Sequence, residues 1–254
     1  MIENPRPDDW RALQDGVCQI FKEIGLDAVS EHILSTPRGK VSIDVYAVDQ
    51  SSVEKIRYLV ECKNWKNHIP QSVVHSFTTV MHETGAHIGF IISREGFQAG
   101  AAQYLNNTNI VGLTYEQFQA RYFPIWWEKQ FCANVSAAAD SLMQYVEPIN
   151  TRRERFLKGL DKVKLAKYEE LRQRYESFGI VMGMIGVGSI TRKYTVEPPL
   201  NIEDYKCRIV KVLGEEFEYT SQYYRTLMAE ISAQLIAVSE KFHQVFGTNI
   251  FAEP

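Results

Sequence analysis

Val41-Ser42-Ile43-Asp44-Val45-Tyr46-Ala47-Val48 and Tyr58-Leu59-Val60-Glu61-Cys62-Lys63 are the two runs on which the fold turns. Both have the length and apolar character of strands, and the polar segment Asp49 to Lys55 between them suits a hairpin loop. Side chains alternate across a strand, so Glu61 and Lys63 leave one face about 6.8 Å apart while Val60 and Cys62 leave the other. An antiparallel register near 48 opposite 56 sets Asp44 opposite or diagonal to Glu61. Two carboxylates and one ammonium then converge on one edge of a sheet. Oxygen ligands in that number suit Mg2+, which takes one or two carboxylates plus water and phosphate oxygens. An ordinary strand pair carrying a surface ion pair has the same spacing, and the two readings stay open on these residues alone.

Upstream, Asp8 or Asp9 is expected to cap a helix whose apolar positions Trp10, Leu13, Val17, Ile20, Phe21 and Ile24 recur at three and four, ended by Gly25. A first strand is expected over Ala28 to Leu34, and Thr36-Pro37-Arg38-Gly39 is turn chemistry leading into the Asp44 strand. Downstream, Pro70 suits the first position of a helix with the stripe Val73, Val74, Phe77, Val80 and Met81, closed by Gly85. His87 to Ser93 reads as an apolar strand covered on both faces. A helix from about Ala99 to Leu105, a strand at Ile110 to Leu113 and a helix opened by the capping box Thr114-Tyr115-Glu116-Gln117 complete this half. The order predicts a mixed α/β sheet domain ending near residue 125.

The rest changes character. Arg152 to Phe178 is expected as one long amphipathic helix with nine basic and five acidic residues, the only basic concentration in the chain. It is either a solvated helix face or a contact for a phosphate backbone. Phe217, Tyr224, Met228, Ile231, Leu235, Val238, Phe242 and Val245 form a coiled-coil-like seam in steps of mostly four and three. It needs a partner, either the basic helix folded back or the same helix of a second subunit. The glycine-rich apolar stretch Gly179 to Gly188, about a dozen residues with Ile190, is too short to cross a membrane and reads as close backbone packing or a buried loop.

With 254 residues and a net charge of −3, the chain suits a soluble domain plus an appendage and carries no global basic field. Cys18, Cys62, Cys132 and Cys207 lack CxxC spacing and read as reduced, mostly buried thiols of a cytoplasmic protein. No secretory signal or membrane span is expected at the N-terminus or elsewhere. No phosphate-binding glycine signature is present, which argues against nucleotide hydrolysis. His75 and His82 lie seven apart, without the spacing that lets two helix residues share an ion.

The element order and the strand pair carrying Asp44, Glu61 and Lys63 resemble the PD-(D/E)xK nuclease core. The run Glu61-Cys62-Lys63-Asn64-Trp65, the helix after Pro70, Gly85 to Ser93, Gly96-Phe97-Gln98-Ala99-Gly100-Ala101 and Thr108-Asn109-Ile110 narrow this to the Mrr-like restriction endonuclease group, over roughly residues 8 to 125. The α-helical region (126–254) lies outside the resemblance and is expected, from its basic helix and apolar seam, to serve dimerisation, partner or DNA binding; over residues 1–125 the resemblance implies a restriction-endonuclease-like mixed sheet flanked by helices. It implies a Mg2+-dependent DNA endonuclease, with Mn2+ able to substitute, serving restriction or defence against foreign DNA. Asp44 and Glu61 would be metal ligands and Lys63 would stand beside the attacking water. Gln14 falls where the family often has Glu in its first helix, so Gln14→Glu is expected to tighten metal binding; Gln71 fits a glutamine early in the following helix. The other reading is a catalytically decayed nuclease fold acting as a scaffold through its C-terminal helices.

Overall fold

The computed structural model describes residues 1–186, 201–213 and 217–252. They fall into two compact units, one of Met1 and Glu3–Lys129, the other of Ile2 and Gln130–Pro254. None of the described helices is long and apolar enough to cross a membrane.

The first unit follows the expected order: α1 (Trp10–Glu23), β1 (Asp27–Thr36), β2 (Gly39–Val48), β3 (Arg57–Lys63), α2 (Gln71–Thr84), β4 (Ile88–Ser93), α3 (Ala99–Leu105), β5 (Ile110–Thr114) and α4 (Tyr115–Trp126). Helix α1 starts where the Asp9 carboxylate accepts from the Ala12 N–H, and α4 where Thr114 and Gln117 cap each other. Pro70 serves as the cap of α2 rather than its first residue, and Gly85 ends that helix at a φ of 61°, a left-handed conformation that costs glycine no Cβ clash.

The strands lie in the order β1-β2-β3-β4-β5, antiparallel from β1 to β3 and parallel from β3 to β5. Leu59, Ile91 and Ile110 pack into one core with Val74, Phe77 and Met81 of α2 and Ala101 of α3. Phe90, on the opposite face of β4 from Ile91, joins Phe21 of α1 and Phe118 of α4, with ring centroids between 5.3 and 6.2 Å apart. Apolar burial on both faces, worth about 1.5–3 kcal/mol per large side chain, makes β3 and β4 the rigid centre of the sheet.

Strand β2 meets β3 with Val48 opposite Arg57 and Val45 opposite Val60, one residue from the expected register, and the pairing stops there. Beyond that point β2 pairs with β1 as far as Gly39, while β3 pairs with β4 as far as Lys63. The sheet therefore splits between Asp44 and Glu61. On the far side of β2, the pair that would join Glu31 to Asp44 is missing from the β1–β2 ladder, and Glu31 has a φ of 53°. A non-glycine residue there costs about 1–2 kcal/mol, and the distortion lies directly across from Asp44.

The second unit comprises α5 (Ala133–Val146), α6 (Thr151–Leu157), α7 (Lys162–Gly183), α8 (Ile202–Leu213) and α9 (Tyr224–Phe246), and a π-helical turn, Trp127–Cys132, leads into α5. The single helix expected over Arg152 to Phe178 is two: Asp161 accepts from the N–H groups of Val163 and Lys164 and starts a new helix. Its side chain offers the backbone a cap, which interrupts a charge pattern that otherwise runs on.

The apolar seam of α9 is covered by its own chain. Tyr224, Leu227, Ile231, Leu235, Val238, Phe242 and Val245 are buried, with Leu227 facing inward in place of the expected Met228. Tyr145 of α5 stacks on Phe242 at 5.1 Å, and Tyr168 of α7 lies 5.9 Å from Phe246. The homodimer expected through this seam loses the exposed surface on which it rested. A Cβ on Gly179 would stand 2.8 Å from Val146 and one on Gly183 2.6 Å from Met143, so close packing of α7 on α5 explains the first part of the glycine-rich stretch. Val187, Gly188 and Ile190 lie outside the described residues.

Candidate active site

Glu61 and Lys63 sit at the end of β3 with 22% and 21% of their side chains exposed, and the Lys63 ammonium donates to Glu61 Oε1. They line a cleft of about 310 Å3 with Ile43 of β2 and Ser72, Ser76 and Phe77 of α2. Asp44 stands across the split. Its Oδ2 accepts from the Cys62 N–H at 2.6 Å, so a carboxylate occupies the place where the β2–β3 ladder would have put a carbonyl. Asp44 lines a second cleft, of about 480 Å3, with Asp8, Asp9, Trp10, Trp65 and Arg94, and Lys63 lines both clefts.

Burial pushes the Glu61 carboxyl above its ordinary 4.5; the Lys63 hydrogen bond and charge pull it back, and the nearby Asp44 charge raises it further. Lys63 pairs with Glu61, and the Asp44 carboxylate lies close enough for its charge to act on Glu61, so two carboxylates and one ammonium lie near one another in a partly buried place. Such a donor set suits a hard divalent cation. Among the described residues no three His, Cys, Asp or Glu side chains gather as a cation site, so most of the coordination shell would have to be water and phosphate oxygen, as Mg2+ accepts. Cys62, on the opposite face, is a packing residue: burial raises its thiol well above the usual range, which disfavours the nucleophilic thiolate.

Gln14 reaches the site from α1. It is 2% exposed, its Nε2 donates to the Asp44 backbone carbonyl at 2.6 Å, and its buried Oε1 has no hydrogen-bond partner. The amide thus holds the backbone of Asp44 and offers an unused acceptor close by. A carboxylate in that orientation cannot donate and would face the carbonyl oxygen, which reverses the sign expected for Gln14→Glu. Gln71 is set apart. It is exposed, its amide lies 3.2 Å from His75 Nε2, and it lines neither cleft; Ser72 and Ser76 take the places on α2 that face Glu61 and Lys63. Trp10, expected on the apolar stripe of α1, instead stands half exposed in the cleft, while Arg94 and the two serines were not singled out from the sequence, because nothing local marks which surface residues share a cleft.

The basic concentration of the second unit divides. Arg153 is fully buried and donates to the carbonyls of Gln144 and Glu147, tying α6 to the end of α5. Lys164, Lys167 and Arg174 of α7 and Lys241 of α9 line a groove of about 450 Å3 with one carboxylate, Glu170. Lys241 donates to the Tyr175 hydroxyl at 2.8 Å and lies 5.0 Å from that ring's centre.

Residues 8–121 match the family model Mrr_cat, described as restriction endonuclease. The match lies in the N-terminal region and is to an Mrr-like PD-(D/E)xK domain of restriction-endonuclease type. No curated protein matches the chain. A crystal structure titled "Protein of Unknown Function AF1548" aligns over 94% of this chain and 100% of its own, at 13% identity and a TM-score of 0.38.

Proposed function

We propose that the protein is a divalent-metal-dependent DNA endonuclease in which Asp44 and Glu61 hold the cation and Lys63 assists attack on the phosphodiester. The observation that carries this is the split of the sheet, which seats Asp44 on the Cys62 N–H beside the Glu61–Lys63 pair, near enough for its charge to act on Glu61. A bound Mg2+ or Mn2+ supplies a polarised phosphoryl oxygen and water of lowered pKa. The chain's own residues do the rest. Lys63, charged and donating to Glu61, acts as a hydrogen-bond donor; it orients the attacking water and offsets the charge that builds on the phosphate oxygens. The Cys62 N–H fixes one oxygen of Asp44, and Gln14 fixes its backbone, so the Oδ1 edge is presented in one orientation. Gln14 Oε1, buried and without a hydrogen-bond partner, leaves one acceptor that a water bound beside it would use.

Restriction or defence against foreign DNA is the setting that fits such an activity. The groove of Lys164, Lys167, Arg174 and Lys241 is read as a phosphate-backbone contact that adds affinity without sequence preference. Incubation of the purified protein with plasmid, linear DNA and RNA, with Mg2+, Mn2+ or EDTA, tests the reading. Metal-dependent cleavage of DNA that EDTA stops is expected. DNA binding without cleavage in either metal would favour the scaffold reading, to which the neutral Gln14 lends support.

A further inference from the structure

Two of the four tryptophans, Trp126 and Trp127, are 0% and 8% exposed, as large aromatic side chains usually are. Trp10 and Trp65 are 52% and 45% exposed, and both line the cleft that also holds Asp44 and Lys63. They come from separate elements, the first turn of α1 and the segment after β3, so their meeting in one cleft is a product of the fold. Each carries a cation: the Arg11 guanidinium carbon lies 5.2 Å from the Trp10 ring centre and Lys63 Nζ 5.7 Å from that of Trp65. We infer that Trp10 and Trp65 are a stacking surface for an unpaired nucleobase, so that this site takes a strand whose bases are out of the helix, either single-stranded DNA or a nucleotide extruded from a duplex.

The inference rests on the nuclease reading and narrows its substrate. Inside a duplex both faces of a base are covered by its neighbours, and an indole face can engage a base only after it has left the stack. An exposed indole that receives a base recovers the hydrophobic and stacking free energy it otherwise lacks, whichever base arrives, because every base has a π-face. The cleft, about 480 Å3, falls within the range of sites that enclose a small organic group. Lys66 and Arg94 line the same cleft, the latter also paired with Glu95, and bring cations to a rim that Asp8 and Asp9 share, so a strand's phosphates would be met on the Lys66 and Arg94 side. Because Lys63 both lies over the Trp65 ring and pairs with Glu61, a base stacked on Trp65 would sit beside the scissile position.

The test uses the full chain in EDTA, so that binding is read without cleavage. Fluorescence anisotropy compares a labelled single strand, the matching duplex and a duplex carrying one mismatch; tryptophan emission and the emission of a 2-aminopurine placed in the strand report stacking. Single strand and mismatched duplex should bind more tightly than the perfect duplex, with quenching of both fluorophores. Trp10→Ala, which leaves Lys63 untouched, and Trp65→Ala should each weaken single-strand binding by about 5- to 100-fold while changing duplex binding about twofold or less. Phe at either position should restore part of the loss. Equal losses on single strand and duplex, or none on either, would overturn the inference. So would indoles that are quenched only by protein partners. Cleavage that proceeds without any dependence on the two indoles leaves the nuclease reading standing and removes only this one; 2-aminopurine quenching in a protein that never cleaves does the reverse.

Discussion

In the first unit the charges that matter are drawn inward, with Glu61 and Lys63 only 22% and 21% exposed, held at the end of a strand packed on both faces. In the second unit, the buried Arg153 apart, the lysines of α7 project outward; Lys167, for example, is 52% exposed and pairs with Glu170 one turn along α7. Half-buried charges act strongly on one another, shift each other's protonation and demand fixed geometry. Exposed ones act additively and are screened by salt. The same residue types therefore offer local chemistry in one unit and diffuse attraction in the other.

The contrast breaks most visibly if the second unit is not self-contained. Leu235→Asp puts a carboxylate into the buried seam of α9 and should destabilise that unit by about 3 kcal/mol or more. Circular dichroism should show helix loss in a protein that light scattering finds monomeric; clean dissociation of a dimer with helicity intact would mean the seam lies between chains. Lys63→Gln keeps a donor to Glu61 but deletes the charge. Cleavage should fall by about 10²-fold or more, with stability changed by about 1 kcal/mol or less. Undiminished cleavage would deny the first unit its distinctive use of charge.

Gln14→Ala orphans the Asp44 carbonyl and should cost about 1–3 kcal/mol in thermal unfolding, with weaker Mg2+ binding by calorimetry. Gln14→Glu should fail to rescue either quantity near neutral pH; tighter Mg2+ binding in that variant would restore the role expected from the resemblance. Lys164→Gln with Lys167→Gln should lower DNA affinity and reduce the slope of log affinity against log salt by about one per cation, while leaving cleavage at saturating DNA unchanged.

The smallest effect is on pH dependence. Glu61 titrates above 4.5 in the folded chain, so the folded state holds that proton more readily than the unfolded one. Its contribution to the stability of the metal-free protein therefore grows as pH falls through the folded value and is complete below 4.5. Mg2+ affinity should fall over the same window, because cation and proton compete for one carboxylate. Glu61→Gln should abolish both trends; calorimetry and thermal melts between pH 4 and 7 would show it.

The elements of the first unit were legible because each is signalled locally. Period-two alternation marks β2, an unbroken apolar run marks β4, and Asp9, Thr114, Gln117 and Gly85 cap helices through bonds that span a few residues. The pairing of Glu61 with Lys63 was legible for the same reason, since two residues along a strand must share a face. Other features answer to long-range packing. The split that seats Asp44 against the Cys62 N–H depends on where β2 leaves β3 and on Glu31 in a strand two turns of chain away. Gln14 finds the Asp44 carbonyl across 30 residues, and Trp10 and Trp65 share a cleft only once α1 has docked on the sheet. The partner of the α9 seam was undecidable from its heptads, because an apolar stripe states that it must be covered and says nothing of by what; α5 and α7 supplied the answer. Backbone periodicity and capping are written within one turn or one strand, whereas register, splits and shared clefts arise from which faces can be buried together, a property of the whole chain.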